Sequence, residues 1–149
     1  MKLIPITKTG QPQKFIAHLP AEAAEVGKVF SGLYQTVGYQ PPWLGYFAVI
    51  GDQCIGTCGF KSPPENNRVE IAYYTFPAFE GKGMATQMAK TLVDIAREAA
   101  PNVIIAAQTL PAEGASTSIL IKLGFENVAT LEHPEDGTVW EWQFVESEN

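Results

Sequence analysis

Residues 73–86 have the sequence Tyr73-Tyr74-Thr75-Phe76-Pro77-Ala78-Phe79-Glu80-Gly81-Lys82-Gly83-Met84-Ala85-Thr86. A β-rich run leads into a short turn with two glycines, and an amphipathic helix follows at once. The small residues Gly81, Gly83 and Ala85 let backbone N–H groups approach an anion, and the start of the helix adds unpaired donors and a positive dipole end. Lys82 would add charge. The pattern predicts a turn that binds pyrophosphate, with a plain strand-to-helix connection as the alternative.

Two other phosphate-binding loops do not match this turn. A P-loop requires Gly-x-x-x-x-Gly-Lys-Ser/Thr, but Phe76 stands at the first glycine and Gly83 follows Lys82. A dinucleotide-binding fingerprint requires a third small residue where Thr86 stands, inside a parallel βαβ unit. The turn therefore belongs to neither class.

Hydrophobic periodicity predicts the elements on both sides of the turn. Helices are expected over residues 21–34, 84–99 and 115–123, and strands over residues 2–7, 44–50, 54–60, 68–76, 102–110, 125–131 and 138–145. No repeat, low-complexity segment or linker interrupts them. We expect one domain over residues 1–149, of the α/β (α+β) class. Its mixed, mostly antiparallel, twisted sheet should have six or seven strands flanked by three or four helices.

Composition narrows the class of protein. The chain has 149 residues, 46% of them apolar, and a formal charge of −6. Residues 1–122 contain ten basic and nine acidic residues, whereas residues 123–149 contain seven acidic residues and no Lys or Arg. An acidic chain is a poor general binder of nucleic acid, which requires Lys and Arg to displace phosphate counterions. No signal peptide or membrane-spanning run is recognisable.

The two cysteines, Cys54 and Cys58, lie four residues apart. On one strand they would be too far apart for a disulfide, and no second pair of metal ligands accompanies them. They are expected to be buried thiols of a protein in the reducing cytoplasm, and no metal site is expected.

Three segments together resemble a known family. The segment from Glu80 to Thr86 resembles the acyl-CoA pyrophosphate loop of the GNAT N-acetyltransferase superfamily, Gln/Arg-x-x-Gly-x-Gly/Ala. Residues Val69-Glu70-Ile71-Ala72-Tyr73 and the pattern Ser116-x-x-Ile119-x-x-Lys122-Leu123-Gly124-Phe125 resemble the branch related to ribosomal-protein N-terminal acetyltransferases. The resemblance covers about residues 43–145 and implies a GNAT-like fold with acetyl-CoA as co-substrate.

The chain departs from the family pattern at three positions. Glu80 stands where Gln or Arg is most usual, and a side chain that points away from the ligand would tolerate this change. Glu113 replaces an Asn that helps to hold the cofactor arm, and Leu120 replaces the Tyr that many members use to protonate the departing thiolate.

The resemblance also implies roles for the residues of the quoted stretch. Backbone groups of Tyr74, Thr75 and Phe76 would pair with the pantetheine arm and supply the oxyanion donor. Residues Gly81 to Thr86 would hold the pyrophosphate, and Glu113 would lie near the cofactor arm.

Glu70 and Ser116 are the candidate catalytic residues. A carboxylate on a central strand is shielded from water and becomes a stronger base, so Glu70 is the candidate general base, directly or through a water. The alternative is a charge at the strand end, in solvent or paired with Arg68 or Lys61. Ser116 is the candidate hydrogen-bond donor to the thiolate, with a helix N-cap or first-turn serine as the alternative.

The acceptor is expected to be a primary amine on a small molecule or a protein N-terminus. Tyr34 and Trp43 belong to an aromatic cluster that would wall the acceptor site, with core packing as the alternative. Glu132, with Glu135 and Asp136, would attract a cationic amine at long range, unless the hairpin is only a solvated surface. Two other functions stay open, an acyl-CoA-binding module without turnover and a scaffold in which the glycines only form a turn.

Overall fold

Seven strands form one mixed sheet in the computed structural model, which describes residues 1–146. The strand order is β1-β2-β3-β4-β5-β7-β6, and β4 and β5 form the one parallel pair of this described sheet. The predicted class and the predicted numbers of strands and helices are confirmed. The elements are β1 (Lys2–Pro5), α1 (Ala21–Val37), β2 (Gly45–Ile50), β3 (Gln53–Phe60), β4 (Arg68–Thr75), α2 (Met84–Ala99), β5 (Ile104–Thr109), α3 (Ala115–Leu123), β6 (Phe125–His133) and β7 (Gly137–Phe144), with a one-turn 3₁₀ helix (Pro77–Phe79) before α2.

The helices cover both faces of the sheet. Phe47 of β2 lies against α1, where a Cβ on Gly27 would meet its ring at 3.4 Å. Gly56 of β3 pairs with Ala48, the residue after Phe47, and therefore lies on the opposite face, where Met88 of α2 approaches it. α3 packs beside α2 and against β6. Each helix buries an apolar stripe against the sheet, and the core fills both layers.

The pairing between β4 and β5 is short. It joins Arg68 to Ile104, Val69 to Ile105 and Glu70 to Ala106, whereas β4 continues to Thr75 and β5 to Thr109. On its other side β4 stays paired with β3 as far as Thr75. The two strands therefore diverge after Glu70, and we call the resulting gap the fork.

Several boundaries differ from the sequence prediction. Helix α1 continues three residues further than predicted, to Val37, and stops at Gly38, whose φ of +96° lies in the left-handed region. Strand β1 is shorter than predicted, because Ile6 forms a bridge with Pro12 after the strand has ended. Strand β6 reaches His133, two residues beyond the prediction.

Cys54 and Cys58 both lie on β3 as buried free thiols, as predicted. Burial raises the pKa of Cys54 to about 11 and raises the pKa of Cys58 as well. Both side chains therefore stay protonated and serve as apolar core groups. In the described part of the chain, no helix combines the length and apolar character that a membrane span requires.

Candidate active site

The glycine turn presents backbone donors to an open space. Gly81 and Gly83 both have φ of +78°, a conformation that side-chain-bearing residues rarely adopt, and a Cβ on either glycine would meet nothing within 4 Å. Gly83 is also the N-cap of α2, and no side chain caps the helix. The first amide groups of α2 therefore have no partner within the helix and face outward with its positive dipole end.

A cavity of about 600 Å³ lies in front of this turn, and we call it the loop cavity. Most of the predicted cofactor residues line it, and Glu80 lines it too. The side-chain oxygen of Thr75 is buried at its wall without a hydrogen-bond partner among residues 1–146. The lining residues are Tyr73, Tyr74, Thr75, Phe79, Glu80, Gly81, Gly83, Met84, Ala85, Thr86, Ala115, Ser116 and Ile119.

Three residues predicted to bind the cofactor do not line the loop cavity: Phe76, Lys82 and Glu113. The prediction for Phe76 is wrong, because its backbone is already used. Its amide donates to the Ile55 carbonyl at 3.0 Å, and its carbonyl accepts from Phe79 at 2.8 Å. Its side chain is buried in the core.

The direction of the β4 backbone also corrects the predicted pairing. Along a strand, backbone groups point to alternate sides, and the bonds from Phe76 to Ile55 and from Lys61 to Glu70 fix which residues face β3. Tyr74 faces β3 as well, opposite Thr57. The backbone groups that turn toward the fork are those of Ile71, Tyr73 and Thr75, so only Thr75 of the predicted trio is directed to a ligand there.

A second, smaller cavity of about 120 Å³ occupies the fork, and we call it the fork cavity. It shares two lining residues, Tyr73 and Ser116, with the loop cavity, so the two cavities meet between β4 and the start of α3. The lining residues of the fork cavity are Lys61, Glu70, Ile71, Ala72, Tyr73, Ala107, Gln108, Thr109 and Ser116.

Glu70 lines the fork cavity and forms ion pairs with Arg68 and Lys61. Its side chain is 12% exposed, its Oε1 lies 3.5 Å from a guanidinium nitrogen of Arg68, and the ammonium of Lys61 lies against its Oε2. The paired carboxylate that the sequence left as an alternative is therefore present. It does not exclude a base, because Glu70 also lines the fork cavity.

Arg68 links Glu70 to a second buried carboxylate, Glu141 of β7, with which it forms a salt bridge. Gln108 and Gln143 also donate to Glu141, at 3.4 and 3.3 Å. Burial opposes ionisation of this carboxyl, but the hydrogen bond and charge of Arg68, helped by both amides, hold the pKa of Glu141 below its usual range. Sequence reasoning missed Glu141, because only the strand order β4-β5-β7 brings it beside Arg68.

Ser116 lies in the first turn of α3 but does not cap the helix. The capping contacts belong to Thr117, whose hydroxyl accepts from the Gly114 amide at 2.9 Å and donates to the Gly114 carbonyl at 3.0 Å. Ser116 is exposed and borders both cavities. Its hydroxyl is therefore free of the structural role that a cap would impose.

The predicted acceptor residues lie away from both cavities. Tyr34 is only 6% exposed, and its hydroxyl donates to the Ile6 carbonyl and accepts from the Gly45 amide, both at 2.9 Å. It belongs to the core, so its predicted contact with an acceptor is wrong. Trp43 is half-buried and packs edge-on against Phe60, with ring centroids 5.0 Å apart.

Glu132 is exposed near the tip of the β6–β7 hairpin, where Thr138 donates to it at 2.6 Å. The hairpin extends past the end of β5 at which Thr109 pairs with Trp140, and Thr109 lines the fork cavity. The acidic tip is therefore at the same end of the sheet as the fork. In the described residues, no group of three or more His, Cys, Asp or Glu side chains is placed to hold a metal.

Comparison with known proteins places these features in one family. The family model described as an acetyltransferase (GNAT) domain matches residues 6–126. No curated protein matches the chain in sequence.

Solved structures share the fold at low sequence identity. RimL, a ribosomal alpha-N-protein acetyltransferase solved with coenzyme A, superposes with a TM-score of 0.66 and 17% identity over 83% of this chain and 71% of its own. Ribosomal-protein-alanine N-acetyltransferase from Brucella melitensis gives 0.63 and 19%, over 82% and 78% of the two chains. A mutant of spermidine N-acetyltransferase SpeG from Vibrio cholerae gives 0.66 and 13%, over 80% and 75%.

Proposed function

Because the chain belongs to the family of GNAT acetyltransferase domains, we propose that it transfers an acetyl group from acetyl-CoA to a primary amine within a ternary complex. One observation carries this proposal. A cavity of backbone donors and a cavity that contains a carboxylate meet at Tyr73 and Ser116, so a thioester and an amine can react without a covalent enzyme intermediate.

The loop cavity suits the donor, acetyl-CoA. The uncapped start of α2 offers amide groups to a pyrophosphate, and the open space above Gly81 and Gly83 admits it closely. The backbone of Thr75, which turns away from β3 toward the fork, offers hydrogen bonds to the pantetheine arm. The thioester would then lie at the junction of the two cavities.

The fork cavity suits the amine. An ammonium group must lose a proton before its nitrogen can attack, and Glu70 is the carboxylate that lines this cavity. The nitrogen then forms a bond to the carbonyl carbon while an amide of β4, that of Tyr73 or Thr75, stabilises the oxyanion. Collapse of the intermediate breaks the C–S bond, and Ser116 is positioned to donate a hydrogen bond to the sulfur.

The acidic hairpin tip supports a cationic acceptor, such as a small polyamine or a protein N-terminus. Glu132, Glu135 and Asp136 are all exposed at the fork end of the sheet. Neutralising the three should raise the KM for a cationic amine about twofold at low salt and leave the KM for acetyl-CoA unchanged. An unchanged KM for the amine would show that the acidic hairpin does not attract the acceptor.

We propose that the reaction takes place in the cytoplasm, since two free thiols suit a reducing compartment.

Two measurements test the proposed function. Acetyl-CoA at saturating concentration should raise the melting temperature, because a ligand that binds only the folded state stabilises it. Release of free thiol, with mass spectrometry of the product, should then identify the acceptor within a panel of small amines and peptides. Failure of acetyl-CoA to shift the melting temperature would contradict the proposal.

An acyl-CoA-binding module without turnover is the second candidate. Leu120 is fully buried and carries no hydroxyl, and Glu70 is engaged by two cations, so both features favour binding over chemistry. This candidate predicts the same thermal shift but no thiol release with any amine of the panel.

A further inference from the structure

Three tyrosines have hydroxyl groups that burial keeps protonated, with the pKa of each raised to about 12: Tyr34, Tyr46 and Tyr73. Two of them use their hydroxyls to hold the backbone. Tyr34 donates to the Ile6 carbonyl, and Tyr46 donates to the Pro42 carbonyl at 2.6 Å. Tyr73 differs, since no group within residues 1–146 forms a hydrogen bond with its hydroxyl, and desolvation is the whole cause of its shift.

Tyr73 lies at the boundary between the buried part of β4 and the two cavities. Alternation along β4 places Tyr73 on the same face as Val69 and Ile71, which are fully buried. Tyr73 is the next residue on that face, beyond the point where β5 diverges, and it is only half-buried. Its ring packs against the core, and Tyr73 is one of the two residues that line both cavities.

We propose that Tyr73 is a catalytic residue whose hydroxyl donates a hydrogen bond to the sulfur atom of the thioester at the junction of the loop and fork cavities. This inference rests on the proposed function. It adds a donor on β4, across the junction from Ser116 on α3. Packing fixes the ring of Tyr73, whereas Ser116 is exposed and exchanges its hydrogen bonds with water. Tyr73 is therefore the better-positioned donor.

The reaction balances with Tyr73 unchanged. The amine nitrogen forms the N–C bond, the C–S bond breaks, and the sulfur leaves with the electron pair as a thiolate. The hydroxyl of Tyr73 stabilises this charge by a charge-assisted hydrogen bond and keeps its own proton, because its pKa of about 12 exceeds the ordinary value for a thiol. Of the two protons that the ammonium loses, one ends on the sulfur of coenzyme A through solvent and one enters the solution.

Tyr73→Phe tests the assignment, because it removes the hydroxyl and keeps the ring. Its melting temperature should equal that of the wild type, since the free protein loses no hydrogen bond. Its kcat should fall about 10- to 100-fold, with little change in the KM for acetyl-CoA. Tyr46→Phe is the matched control. It loses the hydrogen bond to the Pro42 carbonyl, so its melting temperature should fall while kcat stays unchanged.

A second measurement needs no acceptor. Coenzyme A bound to the protein is titrated with alkali, and the ultraviolet absorbance of its thiolate is read against the same complex with desulfo-coenzyme A. A donor to the sulfur favours the thiolate, so Tyr73→Phe should move the titration midpoint upward by about one pH unit. Equal midpoints in wild type and variant would overturn the role of Tyr73 alone. Failure of wild type to bind coenzyme A would instead overturn the proposed function.

Discussion

The loop cavity and the fork cavity are neighbours that use different parts of the chain. The loop cavity is lined by residues of one continuous stretch, 73–86, apart from the start of α3, and the backbone of its two glycines is open to it. The charged residues that line the fork cavity are Lys61 and Glu70, and Glu70 is in turn linked through Arg68 to Glu141 of β7. Geometry therefore decides what the first cavity binds, whereas the second depends on charges that distant strands bring together.

Glu70→Gln should have the largest effect on the charged residues of the fork cavity. It removes the proposed base at nearly constant volume, and kcat should fall about 100-fold at neutral pH while the KM for acetyl-CoA stays constant. The defect should shrink at high pH, where the acceptor amine loses its proton without help. The measurement is a pH profile of thiol release, with the exposed Glu65→Gln as control. Full activity of Glu70→Gln at every pH would show that the fork carboxylate is only an ion-pair partner.

Glu141→Gln tests whether the charge network holds the strands together. The variant should lose about 2 kcal/mol of unfolding free energy at pH 7, because it weakens the charge-assisted bond to Arg68. The pKa of Glu141 is lower in the folded protein, so its contribution is complete above the unfolded value of about 4.3. It is lost as the pH falls through the folded pKa, and the two proteins should then converge in stability.

Denaturant titrations at several pH values measure this difference. Glu126→Gln is the control, since Glu126 is exposed on β6 and pairs with the neighbouring Gln143. A stability difference that stays constant from pH 7 down to pH 3 would mean that charge plays no part in it.

The same contrast explains how much the sequence predicts. The glycine turn and the start of helix α2 follow from spacing within the 14 residues 73–86, because glycine conformation and helix capping are local properties. Glu141 is 73 residues from Arg68, and no local pattern announces their contact. Sequence alone does not separate an acceptor wall from core packing at Tyr34, because aromatic residues occur in both, whereas its two backbone hydrogen bonds are visible only in the fold. The predicted contact of Phe76 with the cofactor is wrong for a related reason, since the strand register decides which backbone groups are free to bind a ligand.

Gly83→Ala tests the backbone side of the comparison. The methyl group forces a residue with a side chain into φ of +78° and enters the open space where the pyrophosphate is proposed to lie. We expect affinity for acetyl-CoA to fall about tenfold, with a loss of about 1 kcal/mol in stability. Isothermal titration measures the affinity. Gly32→Ala is the matched control, since Gly32 lies within α1 with free space around it, and alanine there should stabilise the helix without changing affinity. Equal affinities of the two variants for acetyl-CoA would show that the glycine turn only connects β4 to α2 and does not bind the pyrophosphate.

Glu80→Gln gives the smallest change, because it removes the charge of an exposed residue that lines the loop cavity. A carboxylate near the pyrophosphate site repels the negative charges of the ligand across the solvent. The variant lacks this repulsion and should therefore bind acetyl-CoA about threefold more tightly at low salt. The gain should disappear at high salt, where exposed charges are screened. Glu113→Gln provides the contrast, since Glu113 lies outside the loop cavity and should change affinity much less. The opposite order would mean that Glu113 approaches the cofactor arm, as the family resemblance implies, and that the loop closes on its ligand differently from the free protein.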